Sequence, residues 1–225
     1  TSSSSFNLLG QKHEITHDYT GSLLASLKDS LLSPELKTLR DTIRNIRSLE
    51  LLSPHLLRKR SRAQDKDIGA GGEKLSGFLA TLKGEKKAQL LAVLRQFYPQ
   101  LRDFRVANVR GGWWRLMVTE AMQSAADPTQ EVLLETEAGQ LNDGLLRILA
   151  MLAQANSQRS GMLLLDEVEN GINPEIVEKL VNALLNSPVQ VLVTSHSPMI
   201  LNYLDDDVAR KAVQFVYKNP RDRKS

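Results

Sequence analysis

The 225-residue chain contains no cysteine. That excludes disulfides, zinc–thiolate sites and a thiol nucleophile, and it fits a reducing, cytoplasmic setting. No apolar run approaches the ~20 residues a helix needs to span a bilayer, so no membrane partner is expected. The polar start, Thr1-Ser2-Ser3-Ser4-Ser5, lacks the charged-then-apolar order of a secretion signal. It also lacks an initiator methionine, which points to a start inside a longer protein. A phosphate loop is missing too: the pattern Gly, four residues, Gly-Lys-Ser/Thr occurs nowhere. The nearest stretch is Gly69-Ala70-Gly71-Gly72-Glu73-Lys74-Leu75-Ser76. Glu73 separates its glycine from its lysine, and a polar basic segment precedes it rather than a strand. It reads as a flexible lead into a helix over 74–82.

At 41% apolar residues the chain can bury a core, as one large domain or two small ones. Its net charge of +3 hides an asymmetry. Residues 1–115 carry 20 Lys/Arg against 11 Asp/Glu, and residues 116–225 carry 9 against 15. The basic half is a candidate for contact with a polyanion, or a set of solvated helix faces.

Residues 1–22 read as the ragged end of a larger sheet or loop, with Gly10 and Gly21 breaking any period. Over 23–57 the pattern is helical. Ser33 caps a helix that has Pro34 in its first turn. Leu36, Leu39, Ile43 and Ile46 then recur at helical spacing, with Arg40, Arg44 and Arg47 on another face. Residues 58–68 lack apolar periodicity and read as a basic, mobile loop. A helix over 86–98 turns Leu90, Leu91, Leu94 and Phe97 inward. Strands over 104–109 and 113–118 flank Gly111-Gly112, a hairpin signal. Trp113 and Trp114 beside it could stack on bases or cover a sheet edge. After a polar break over 124–131, Asn142-Asp143-Gly144 opens an apolar-faced helix.

Met162-Leu163-Leu164-Leu165 is the central stretch: a short apolar run that ends in Asp166-Glu167 and reads as a buried parallel strand. Asn173-Pro174-Glu175 caps the next helix, and 189–193 is a second buried strand that ends at Thr194-Ser195-His196. Strand, helix and strand form a parallel βαβ unit. A short helix comes next from Ser197-Pro198, then a strand over 213–217 and a basic tail over 218–225.

Ligands of open α/β sheets bind at the carboxyl ends of the strands, where Asp166, Glu167 and His196 all fall. Asp166 suits Mg²⁺, which takes few protein carboxylates. Glu167 suits a general base for water, and His196 a contact to charge developing on a phosphoryl group. The N-terminus of the helix at Asn142-Asp143-Gly144 can meet an anionic phosphate. The plainer alternatives are a strand-ending turn for the carboxylates, a satisfied buried histidine, and a simple helix cap at Asn142.

Taken together, Leu141-Asn142-Asp143-Gly144, then Leu163-Leu164-Leu165-Asp166-Glu167, then Thr194-Ser195-His196-Ser197-Pro198 resembles the C-terminal lobe of an ABC-type ATPase head. The nearest subgroup is the SMC/RecF/OLD-like AAA ATPases of DNA repair and phage defence. The resemblance spans about 139–204 and includes Glu169-Asn170-Gly171-Ile172-Asn173-Pro174 after the acidic strand. It implies an α/β fold: the parallel-sheet core of a P-loop, ABC-type ATPase lobe with an attached helical region and a β-hairpin. It divides the chain into a mainly helical basic region, 1–100, and the lobe, 101–225. It also implies that Asn142, Asp143 and Gly144 form the signature loop, Asp166 the Walker B metal ligand, Glu167 the catalytic carboxylate and His196 the switch histidine. The cofactors would be ATP and Mg²⁺. The partners would be a second copy across a nucleotide sandwich and either DNA or an effector protein. The chain departs from the pattern in having Asn142 where serine is usual and in having no Walker A loop, so this stretch alone is expected to be inactive. Two other readings stand beside it. One is a Mg²⁺-dependent nuclease using Asp166, Glu167 and Glu169, with Asp205, Asp206 and Asp207. The other is a non-catalytic interaction module.

Overall fold

The computed structural model describes residues 2–8, 11–17, 23–109, 111–124, 127, 129–157 and 161–217. Gly10, Gly21 and the 218–225 tail lie outside them. The chain divides into two compact units, Thr1–Arg44 and Asn45–Ser225. The boundary expected at residue 100 thus falls inside the second unit.

In the first unit, β1 (Ser2–Leu8) and β2 (Gln11–His17) pair antiparallel with each other, from Ser2 opposite His17 to Leu8 opposite Gln11. They form a sheet of two strands, β1 and β2, where the end of a larger sheet or loop was expected. Helix α1 (Leu23–Ser26) is a single turn. Helix α2 (Pro34–Arg44) starts as its sequence dictates: Ser33 Oγ accepts the Leu36 N–H at 3.4 Å, and Pro34 occupies the position where a missing N–H costs nothing. Its buried residue is Arg40, bonded to Asp29 at 2.7 Å and to the Leu27 carbonyl at 3.4 Å, whereas Leu39 and Ile43 are exposed.

At the start of the second unit the structure corrects the helical expectation. Ile46 and Arg47 do not continue the helix; they belong to strand β3 (Ile46–Leu49). Helical spacing alone could not separate the two, because four residues fit either period and the deciding partner lies far along the chain. Helix α3 (Pro54–Leu57) comes next. Residues 58–68 are tied down at both ends. Ser61 and Trp114 exchange two backbone hydrogen bonds, at 3.1 and 2.7 Å, and the fully buried Ile68 donates its N–H to Gln154 Oε1 at 3.2 Å. The glycine-rich stretch turns into α4 (Leu75–Leu79) through Gly69 and Gly72, both at positive φ. Its own carboxylates take the amides a phosphate would need: Gly69 N–H donates to Asp67 Oδ1 and Gly71 N–H to Glu73 Oε2, at 3.0 and 3.1 Å.

Helix α5 (Gly84–Phe97) leads to an antiparallel sheet of β4 (Leu101–Val109), β5 (Trp113–Gln123) and β6 (Glu131–Glu137), in that order. The hairpin turns at Gly111 and Gly112, both at positive φ, as this glycine pair requires. Trp113 packs against the Arg62 guanidinium, 4.5 Å from its ring centre. Strand β6 has no alternating pattern: Val132, Leu133 and Leu134 run together and are exposed, and pairing to β5 is what extends it.

Helix α6 (Asp143–Ser157) is the centre of the core, buried from Gly144 to Ala155. Its buried residues share one core with those of a second sheet, β3, β7 (Met162–Leu165) and β8 (Gln190–Val193), all parallel, with β7 in the middle. Between β7 and β8 runs α7 (Pro174–Leu185), capped by Asn173 Oδ1 on the Glu175 N–H at 3.2 Å. Val177, Leu180, Val181 and Leu184 form its buried face. A 3-10 turn, Pro198–Tyr203, and helix α8 (Asp206–Ala212) complete the fold. The expected strand over 213–217 is absent. That segment has no regular structure, with Phe215, Val216 and Tyr217 exposed, and no described strand lies alongside to pair with it.

Candidate active site

Strand β7 ends at Leu165, and its two neighbouring strands fix the path of the chain beyond it. Asp166 N–H donates to the Leu49 carbonyl of β3 at 3.3 Å, and Thr194 N–H, just past β8, donates to the Leu165 carbonyl at 2.9 Å. The two strand ends are then joined by one hydroxyl. Thr194 Oγ1 donates to Asp166 Oδ1 and accepts the Glu167 N–H at 3.0 Å. The Val168 N–H bonds the Thr194 carbonyl at 3.2 Å.

Glu167 occupies this corner with φ of 48°, the one positive φ among the described non-glycine residues. An L-residue held there carries backbone strain of about 1–3 kcal/mol, which persists only where surrounding bonds impose it. Its side chain is 31% exposed. One carboxylate oxygen lies 3.5 Å from His196 Nε2 and the other accepts from Asn170 Nδ2 at 3.0 Å. Asp166, Glu167 and His196 therefore do meet at the carboxyl ends of adjacent strands. His196 is 85% exposed, so the reading as a satisfied buried histidine is excluded. Asp166 is also exposed. It offers one carboxylate with one oxygen engaged by Thr194, a donor set that fits Mg²⁺.

The helix start on α6 is built differently. Asn142 Oδ1 accepts the Leu145 N–H at 3.3 Å and so acts as an N-cap. Asp143 pairs with Arg58, which also donates to the Leu141 carbonyl at 2.8 Å. A Cβ on Gly144 would stand 3.2 Å from the Gly171 carbonyl oxygen, so glycine lets the helix start approach the loop beyond the carboxylates.

Arg147, one turn further on, is 5% exposed. Its Nε donates to the Leu51 carbonyl at 2.7 Å, and Nη2 bonds the same oxygen. Burial pulls its pKa down, while Asp143 and Glu167 act the other way. The sequence gives Arg147 no role, yet it is visible there as a charge inside the apolar run Leu145-Leu146-Arg147-Ile148-Leu149. Arg58 and the backbone contacts of Glu169 leave no such signal.

The carboxylates do not form a metal cluster. Among the described residues no group of three or more His, Cys, Asp and Glu could hold an ion. Glu169 turns onto backbone amides, and Asp206 and Asp207 occupy the first turn of α8, where acidic side chains favour the helix dipole. Some basic residues of the first half are paired with carboxylates inside the same unit. Arg60 and Arg115 pair with Glu137, Lys87 with Asp103, and Arg102 with Glu131. No helix among the described residues is long and apolar enough to cross a membrane.

A parallel sheet whose central strand delivers adjacent carboxylates to its carboxyl end, beside an antiparallel sheet, makes this a mixed α/β domain consistent with a P-loop AAA domain. The family model described as "AAA domain, putative AbiEii toxin, Type IV TA system" matches residues 23–202, and the chain belongs to this family. Its general activity is ATPase-type. No curated protein matches the chain.

Proposed function

We propose that this chain supplies the water-activating wall and the trans-acting wall of an SMC/RecF/OLD-like ATPase that works as an ATP-driven dimerisation switch. The observation that carries the reading is Glu167, held in a strained backbone conformation at the end of β7, with His196 Nε2 3.5 Å from its carboxylate. In this reading Glu167 accepts a proton from the attacking water, a role worth roughly 10²–10⁴-fold in rate. His196 faces the charge that develops on the transferred phosphoryl group. Asp166 would hold Mg²⁺, which neutralises phosphate charge when bound. Asn142, Asp143 and Gly144 present a helix N-terminus to the nucleotide of a second copy. The glycine-rich stretch is not the phosphate-gripping wall in this reading, since Asp67 and Glu73 take the Gly69 and Gly71 amides.

The toxin and TA system in the family description support a defence role over DNA repair. The further partner is DNA or an effector protein. The nuclease reading loses its third carboxylate, because Glu169 is engaged by the His196 loop.

The test is Glu167→Gln in the natural protein. It removes the proton acceptor and keeps the shape. Sizing in the presence of ATP and Mg²⁺ should show a persistent dimer, with hydrolysis lowered by at least ~10²-fold. Hydrolysis at the wild-type rate would sink the role given to Glu167.

A further inference from the structure

We propose that Glu169 is a positioning residue: it sets where His196 stands by clamping the backbone of the loop after β8. The inference rests on the ATPase reading above. One oxygen of Glu169, Oε1, accepts both the His196 N–H at 3.0 Å and the Ser197 N–H at 3.1 Å. The other, Oε2, is buried and has no hydrogen-bond partner. A desolvated carboxylate oxygen lowers stability, and an alanine in its place would leave the His196 N–H open to water at an exposed loop, while the Ser197 N–H would keep Ser195 Oγ at 3.0 Å. Fold stability therefore does not by itself account for this carboxylate.

Its geometric effect does. The His196 imidazole is 85% exposed, so packing does not hold it. Its place opposite Glu167 is set by the loop backbone. Up to Thr194 that backbone is stitched to the end of β7 by the Thr194 N–H on the Leu165 carbonyl and the Val168 N–H on the Thr194 carbonyl. Beyond Thr194, the Glu169 carboxylate takes over. Glu169 is two residues from Glu167 on the same corner, so one short segment carries both the water-activating carboxylate and the clamp that brings the histidine to it.

The experiment is a double-mutant cycle on ATP hydrolysis by the natural protein, using Glu169→Ala, Glu169→Gln and His196→Ala. A misplacement of about 1 Å costs on the order of 10²-fold, so E169A should lower kcat by that order while KM for ATP moves less than ~3-fold. E169Q keeps an oxygen for the two amides and should return kcat to within ~3-fold of wild type. In the H196A background E169A should have no further effect, because residues acting as one unit are not additive. Should E169A not fold, Glu169→Asp, which withdraws the oxygen by one methylene, takes its place in the cycle. An E169A effect as large in H196A as in wild type, or an E169Q protein as impaired as E169A, overturns the positioning role and leaves the ATPase reading standing. A wild-type protein that hydrolyses no ATP sinks that reading and this inference with it.

Discussion

Thr194→Val isolates the hydroxyl that joins the two strand ends. Valine keeps the β-branched shape next to β8, so the change removes a polar atom and little volume. Two bonds are lost. The Glu167 N–H to Thr194 Oγ1 bond, at 3.0 Å, is a neutral bond of about 0.5–1.5 kcal/mol net. The Oγ1 to Asp166 bond has a charged acceptor, and such bonds reach about 1.5–3 kcal/mol when sheltered. Thr194 and Asp166 are both exposed, so water replaces much of each bond. The expected loss is therefore about 1–2 kcal/mol in all. For a domain of this size each kcal/mol lowers the melting temperature by about 2–4 °C, which gives a fall of roughly 2–8 °C. Urea unfolding should show a lower midpoint with an unchanged slope. The Glu167 amide should also exchange its hydrogen faster, since the hydroxyl that accepts it is gone. Thr194→Ser, which keeps the hydroxyl, should recover most of the stability and the amide protection. A T194V protein as stable as wild type, with the Glu167 amide still protected, would refute the claim that this hydroxyl braces the site.

Strain and burial give two further expected outcomes. Glu167→Gly should stabilise the fold by about 0.5–1 kcal/mol, because glycine adopts a φ of 48° without strain, while ATP hydrolysis is lost; a melting temperature below wild type would contradict the strain assignment. Burial, with Glu120 adding to it, pushes the Tyr98 phenol up to about 12. The folded state thus favours the neutral phenol, a contribution fully present below the ordinary value of 10.0 and lost as the pH rises from there through about 12. The stability difference between wild type and Tyr98→Phe should shift against the wild type across that window, and phenolate absorbance should lose its most alkaline step in Y98F. An unchanged alkaline step would count against the burial argument.

Local chemistry was enough to locate much of this protein. The apolar run over 162–165, the caps at Ser33 and Asn173 and the glycine pair at 111–112 depend on residues within a few positions of one another. Their elements form where spacing and turn preference place them. The strand-end positions of Asp166, Glu167 and His196 placed these three side chains together, while Asn142 caps the start of α6. The rest depended on partners far away in the chain. Ile46 is a strand residue because Met162 lies beside it, and Glu131–Glu137 is a strand because β5 pairs with it. The 213–217 segment, strand-like in composition, has no such neighbour among the described strands and stays single. Charge shows the same division. The sequence displays a basic half and an acidic half, but only the fold pairs Arg58 with Asp143 and Arg60 with Glu137. Backbone strain at Glu167 and the Glu169 clamp are also tertiary facts. A φ of 48° is imposed by the bonds to Thr194, and a carboxylate's choice between solvent, metal and backbone amides is decided by what the neighbouring strand brings within about 3 Å.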